Sequence, residues 1–239
     1  MLSAGAAAAA DFEVKQPYVT LHELEFEHKG FVTFDRSPDL RNNQTFVGEL
    51  EYGVTSWWKT GIEFEWEREE GPGNRVKTEA AEWENIFQLT ERGQYFADLG
   101  FFVAYEHGIR KGANEEIQFG PIVAKEIGPT LNTLNLFLEK ELGAGADEHV
   151  NLNYRWSTRL AINPLLEPGV EIHGEPGPVD HFNSQQNQEH RIGPVLYGSW
   201  SPAGGGYGKL QYQLGYLFGL TDATSDGTLK WLIEYEIPL

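Results

Sequence analysis

Glutamates recur at every second position in several stretches of this chain, as in the triplet Glu23, Glu25 and Glu27. Residues two apart share one face of an extended strand, so each run presents a line of carboxylates. Crowded carboxylates attract cations and, by mutual repulsion, tend to retain protons. We predict that one acidic wall is formed by Glu25, Glu27, Glu49, Glu51, Glu63, Glu65, Glu82, Glu84 and Glu234.

Three arginines later in the chain can form a smaller basic wall. Arg155 and Arg159 share one strand face, and Arg191 lies on another segment. If they face the acidic wall across an enclosed space, the field between them would orient and select small polar solutes, and the excess of acid predicts a preference for cations. Alternatively, the arginines bridge to the glutamates and seal the space with ion pairs. The sequence leaves both interpretations open.

Histidines suggest two further kinds of chemistry. An enzyme acting on lipid needs a histidine beside a nucleophilic serine, but the predicted strands next to His28 present Gly48 and Ile233 on the same face. Three other histidines flank the longest loop together with four acidic residues. The histidines are His173, His181 and His190, and the acids are Glu171, Glu175, Asp180 and Glu189. Their irregular spacing favours a solvated loop over a divalent metal site. We therefore predict no catalytic residue, no metal and no cofactor.

The elements that position these residues are strands of about ten residues with alternating polarity. In the segment 20–35, for example, Leu24 and Phe26 alternate with the glutamates. About twelve such segments follow one another, which is the length and pattern of tilted membrane strands. The mean hydropathy of −0.43 does not oppose this reading, because alternating strands average to a low hydropathy.

The connections between these segments alternate between long polar loops and more compact turns. Aromatic residues stand beside the compact turns, as expected where a membrane meets water, and we predict that Trp57, Trp58, Tyr95 and Trp200 form an aromatic belt. The predicted fold is all-β, a transmembrane antiparallel up-and-down β-barrel of about 12 strands with short periplasmic turns and longer extracellular loops.

The start of the chain, MLSAGAAAAA, resembles the end of a secretory signal. We assign residues 1–17 to a signal-peptide remnant and periplasmic N-terminal segment, and residues 18–239 to a single barrel domain. The net charge of −18 excludes nucleic acid as a partner, because nothing would neutralise its phosphates. The absence of cysteine fits an exported protein.

Three phrases of the sequence resemble Gram-negative outer-membrane barrel proteins of the porin and transporter type. The ending LKWLIEYEIPL looks like the terminal strand by which such barrels are recognised for assembly, with Leu239 where the class usually has Phe. ELEYGVTSWW (49–58) and IGPVLYGSW (192–200) resemble their strand and turn phrases. The general resemblance covers residues 19–239.

This resemblance implies a location in the bacterial outer membrane. The implied partners are outer-membrane lipids and lipopolysaccharide, the barrel-assembly machinery and small polar solutes. We expect a porin-like channel that passes small hydrophilic, cationic solutes. The alternatives are an outer-membrane enzyme acting on lipid, a structural barrel whose lumen is sealed by salt bridges, and a soluble β-barrel that binds an apolar ligand.

Overall fold

A closed barrel of twelve strands forms the body of this protein. The computed structural model describes residues 12–38, 40–68, 75–202 and 207–239. Within them the strands are β1 Glu23–Phe34, β2 Gln44–Gly53, β3 Trp58–Arg68, β4 Lys77–Gln88, β5 Asp98–Gly108, β6 Glu115–Ile127, β7 Thr130–Leu142, β8 Asn151–Leu160, β9 Glu167–Pro178, β10 Glu189–Trp200, β11 Lys209–Gly219 and β12 Gly227–Pro238.

Each strand pairs antiparallel with the next one in the chain, and the first strand closes the barrel on the last. The closing ladder between β1 and β12 runs from Glu23 opposite Pro238 to Phe34 opposite Gly227. Closure leaves none of these twelve described strands with an unpaired edge. The structure confirms the predicted all-β, up-and-down barrel and its strand number.

The two faces of the barrel are reversed relative to a water-soluble protein. Large apolar side chains point outwards and are exposed, among them Phe26, Leu50, Ile62, Phe64, Trp83, Leu214, Phe218 and Ile233. Charged side chains on the opposite face are buried in the interior. A water-soluble domain buries the first set and exposes the second, so this arrangement suits an apolar surrounding.

The two ends of the barrel differ in their connections. We call the end at which β1 begins and β12 ends the proximal end, and the opposite end the distal end. Connections at the proximal end have 2 to 9 residues, whereas those at the distal end have 6 to 10. The distal connection 179–188 contains a short 3₁₀-helix, Gln185–Asn187. Among the described residues, no helix has the length and apolar character needed to cross a bilayer.

Residues 12–19, which precede β1, run inside the barrel. Residues 1–11, which include the predicted signal remnant, lie outside the described part of the chain. Residues 12–19 form what we call the N-terminal segment, and Phe12, Val14, Lys15 and Pro17 within it are buried. We expected residues up to 17 on the periplasmic side. Of these, the described residues 12–17 lie in the lumen, because side chains of the barrel wall bind their backbone, their charges and their apolar groups.

Candidate functional site: the lumen and its N-terminal segment

Side chains of the barrel wall bind the backbone of the N-terminal segment. Asn135 on β7 accepts a hydrogen bond from the Lys15 amide at 2.8 Å and donates one to the Lys15 carbonyl at 3.0 Å. Arg155 on β8 donates to the Glu13 carbonyl at 3.0 Å, and the Lys230 ammonium on β12 donates to the Phe12 carbonyl. A buried backbone group left without a partner costs free energy, so these bonds hold the segment inside the barrel.

Apolar side chains on the lumen face complete the binding of this segment. Phe12 packs against Phe31, Val195, Tyr197 and Leu217. Val19 packs against a second cluster, which comprises Ile86, Phe102, Ala104, Ile122 and Phe137. Both clusters lie on the face that we predicted to be polar. The lumen is therefore polar at its two ends and partly apolar where the segment lies.

Glycine at position 100 makes room for the segment. A Cβ atom built on Gly100 would lie 2.8 Å from the Cβ of Pro17 and 3.0 Å from its Cα. A Cβ atom essentially never lies closer than 3.0 Å to another carbon atom, so a larger residue here would displace the segment or the strand. The wall is thus shaped to the segment at this point.

Lys15 of the segment places its positive charge among the glutamates of the acidic wall. Its ammonium lies 2.6 Å from Glu84, 2.8 Å from Glu13 and 3.7 Å from Glu49. Burial alone lowers the pKa of Lys15, but the carboxylates around it outweigh this effect and raise the pKa well above its ordinary value. In the same way, burial raises the pKa of Glu13, and Lys15 and Lys29 reverse the effect and hold that pKa well below its ordinary value. Both groups are therefore charged at neutral pH.

Two further lysines lie within the acidic wall itself. Lys29 lies 3.0 to 3.1 Å from Glu27, Glu49 and Glu63. Lys59 lies 2.8 Å from Glu25 and 2.7 Å from Glu51. A buried carboxylate is stable only when it is paired or hydrogen-bonded. These lysines supply that pairing locally.

The structure brings the nine glutamates of the predicted acidic wall to the lumen. Seven are buried there, namely Glu25, Glu27, Glu49, Glu51, Glu63, Glu65 and Glu84. Glu82 and Glu234 share their lumen face and are partly exposed. The lumen face of the later strands adds Glu106, Glu116 and Glu139, so the acidic lining extends beyond the predicted wall.

The predicted basic residues also point into the lumen, where they contact the segment and nearby acids. Arg155 binds the Glu13 carbonyl, and Arg191 lies over the Phe12 ring, 5.0 Å from its centroid. Arg191 also pairs with Glu189 at 2.9 Å, and Arg159 with Glu167 at 3.5 Å. The N-terminal segment thus stands between the acidic and the basic sides of the barrel.

A fully buried carboxylate, Glu171, organises the basic side. It lies 2.7 Å from both the Lys230 ammonium and His173 Nε2, and it accepts a hydrogen bond from the Tyr197 hydroxyl at 2.6 Å. Lys230 and His173 also touch Phe12, the first through its carbonyl and the second through its ring. Glu171 therefore holds in place the Lys230 and His173 side chains that contact Phe12, the first described residue of the segment.

A cavity of about 300 Å³ opens at the proximal end of the lumen. The N-terminal segment lines it with Glu13, Val14, Gln16 and Tyr18. Its other acidic residues are Glu23, Glu25, Glu51, Glu234 and Glu236, and its basic residues are Lys59, Arg92, Arg159 and Lys209. Six acids against four bases give this vestibule a net negative lining, which attracts cations.

The four residues of the predicted aromatic belt lie at the proximal end. Trp57 and Tyr95 lie in turns, Trp58 begins β3 and Trp200 ends β10. Trp57, Tyr95 and Trp200 are exposed on the surface. The Trp58 indole donates to Asn85 at 3.0 Å. Their role at a membrane interface stays a prediction.

The histidines do not form the sites considered from the sequence. His28 Nδ1 lies 2.8 Å from the Val47 carbonyl, and its paired neighbours are Gly48 and Ile233, neither of which offers a hydroxyl. His173 points into the lumen, whereas His190 lies 2.9 Å from the Tyr154 hydroxyl. The three loop histidines considered from the sequence therefore lie apart from one another, and the third of them, His181, packs against His149.

Sequence reasoning missed the N-terminal segment and the lysines that pair with glutamates of the acidic wall. A signal for both was present. Phe102, Phe137 and Leu232 are large apolar residues at positions that alternation assigns to the lumen, and strands that are apolar on both faces are buried on both faces. Lys29 and Lys59 likewise occupy positions that place them among the glutamates.

Comparison with known proteins supports the architecture. No protein-family model matches this chain, and no curated protein matches it in sequence. The structure is similar to the crystal structure of an outer membrane channel from Pseudomonas putida F1, with a TM-score of 0.59 and 12% identity over 95% of this chain and 98% of that chain. At this identity the similarity shows the fold alone.

Two further solved structures resemble it less. A bacterial polysaccharide outer membrane secretin gives a TM-score of 0.44 at 8% identity over 94% of this chain and 100% of that chain. OccK5 (OpdH) from Pseudomonas aeruginosa gives 0.28 at 10% identity over 94% of this chain and 100% of that chain. Both TM-scores are too low to carry an argument.

Proposed function

We propose that this chain is a channel of the bacterial outer membrane for small hydrophilic, preferentially cationic solutes, and that its N-terminal segment controls conduction. The observation that carries the proposal is the reversed barrel, with apolar residues outside and buried charges inside. Such a barrel is stable when acyl chains surround it and polar groups or water fill its lumen. The proximal end then faces the periplasm, and the distal loops meet lipopolysaccharide.

The preference for cations rests on the acidic lining. Glutamates line the lumen along β1 to β4 and again on β5 to β7, and the proximal vestibule is net negative. A narrow passage bordered by fixed negative charge concentrates cations and repels anions.

The proposed control of conduction rests on the anchoring of the segment. Its contacts to Asn135, Arg155 and Glu84 are polar and reversible. With these contacts in place, the segment fills the middle of the lumen and the vestibule stays open at the proximal end. Release of the segment would join the vestibule to the distal half of the lumen.

Planar-bilayer recording tests these proposals. We expect the folded protein to give current, and its reversal potential in a KCl gradient to show a preference for K⁺ over Cl⁻. Replacing the vestibule acids together, Glu25→Gln, Glu51→Gln and Glu234→Gln, should reduce that preference. The exposed loop substitution Glu148→Gln is the matched control and should leave it unchanged.

The second candidate is a structural barrel with a sealed lumen. The observation that favours it is the dense filling around the segment, where ion pairs and two apolar clusters meet. Absence of current from the folded protein, also after the segment has been loosened by mutation, would support this candidate and refute the channel. A preference for Cl⁻ would refute the proposed preference for cations but would still support a channel.

A further inference from the structure

Two distal connections remain side by side beyond the end of the sheet. The last pair of the β8–β9 ladder is Asn151 opposite Pro178. The ladder continues into the loops through a hydrogen bond from the Val179 amide to the Val150 carbonyl at 2.9 Å. Since antiparallel partners keep a constant sum of residue numbers, the next opposed positions are His149 and Asp180.

These positions hold two imidazoles and a carboxylate in contact. His149 Nδ1 lies 3.3 Å from one oxygen of Asp180, and His181 Nδ1 lies 2.8 Å from the other. The rings of His149 and His181 meet edge to face with their centroids 4.4 Å apart. One donor atom from each of the three residues lies within 4.8 Å of the other two.

The backbone near these residues is also held. The His149 amide donates to Asp147 Oδ1 at 3.0 Å, and the His181 amide donates to the Pro178 carbonyl at 3.1 Å. The three side chains are exposed or partly exposed, so a small movement about their side-chain bonds can bring the donor atoms together without disturbing the barrel.

We propose that His149, Asp180 and His181 form a binding site for a borderline divalent transition metal of the Zn²⁺ class. Two imidazole nitrogens and one carboxylate oxygen are the donors that such ions prefer, and ligand distances of about 2.0–2.2 Å are reached by drawing the three atoms inwards. Nδ1 of both rings already faces a carboxylate oxygen of Asp180, and the metal takes the place of any hydrogen between them. With three protein ligands, at least one coordination position stays open to water.

The all-carboxylate clusters of the described lumen differ from this site because a lysine already lies in each of them. Lys29 pairs with Glu13, Glu27 and Glu49. Lys15 pairs with Glu49 and Glu84. A lysine ammonium already supplies the cation there. The loop cluster has imidazoles in place of lysines, and imidazole nitrogens select transition metals over Mg²⁺ or Ca²⁺. The site joins the loops 143–150 and 179–188.

Isothermal titration of the folded protein in detergent micelles with ZnCl₂ tests the site. We expect saturable binding of one Zn²⁺ per chain, and at least about tenfold weaker binding after His149→Ala or Asp180→Ala, since each removes a ligand. His107→Ala is the matched control, because His107 is an exposed imidazole beside Glu115 on another part of the surface, and it should leave the affinity unchanged. Co²⁺ should give the visible absorption of a site with nitrogen ligands, and this absorption should be lost in His149→Ala.

Three results would overturn the proposal. These are the absence of saturable Zn²⁺ binding, equal affinities in the His149→Ala and His107→Ala proteins, and a Co²⁺ spectrum that matches the hydrated ion. Heat-modifiable migration on a gel verifies that each variant is a folded barrel.

Discussion

Lys15→Met is the perturbation that tests most directly whether the N-terminal segment closes the lumen. Methionine keeps a long unbranched side chain and removes the ammonium, which lies within 2.8 Å of Glu13 and Glu84. Removing one partner of a buried ion pair costs about 3–5 kcal/mol, because the remaining charge stays buried without compensation. Since 1.4 kcal/mol is a factor of ten, the ratio of docked to released segment should fall by roughly a hundredfold to several thousandfold.

Single-channel recording measures this ratio as the fraction of time spent in the highest conductance state. We expect this fraction to rise strongly in Lys15→Met and to stay near the wild-type value in Lys15→Arg, which keeps the charge. Lys111→Met makes the same chemical change on an exposed distal loop and serves as the control. Open fractions that are equal in Lys15→Met and Lys111→Met, in barrels that migrate as folded protein, would refute the closing role of the segment.

Three further results are expected. Gly100→Val should raise the open fraction, because its side chain needs the space held by Pro17; an unchanged fraction in recordings would contradict the close fit. The segment should be released in acid. The pKa of Glu13 is lowered when the segment is docked, so ionised Glu13 stabilises docking above its ordinary pKa of 4.5, and this stabilisation is lost as the pH falls through the lowered pKa. The raised pKa of Lys15 gives stability that is present below 10.5 and is lost as the pH rises through the raised value, so the open fraction should be lowest between these limits. Glu171→Gln should lower the free energy of unfolding by about 3–5 kcal/mol in urea titrations of the barrel in lipid, and a change below 1 kcal/mol would argue against its organising role.

The barrel could be predicted because each strand repeats the same simple constraint. A strand between lipid and lumen alternates large apolar residues with charged ones, and this period is visible in single segments such as β1 and β12. The up-and-down order then follows, because each strand pairs antiparallel with the next one in the chain. The positions of Glu25, Glu49 and Arg155 on the lumen face required no other information.

The N-terminal segment could not be predicted in the same way. Residues 12–19 have no strand-like alternation and follow an alanine-rich stretch that resembles a leader. The residues that bind them look like ordinary lumen residues in sequence. Examples are Asn135 and Asp98, which accepts a hydrogen bond from the Tyr18 hydroxyl at 2.9 Å. Their partners are more than 60 positions away, so the pairing depends on barrel closure, which local patterns do not describe.

The ladder between β1 and β12 also sets an order of events during assembly. This seam joins the residues nearest the two ends of the barrel sequence, so it forms only when the last strand is available. The N-terminal segment, residues 12–19, lies within the ring that the seam completes. The segment must therefore enter before the β1–β12 ladder forms, or insert afterwards through the proximal opening. On the second route, the barrel closes first and its lumen is filled only in a later step.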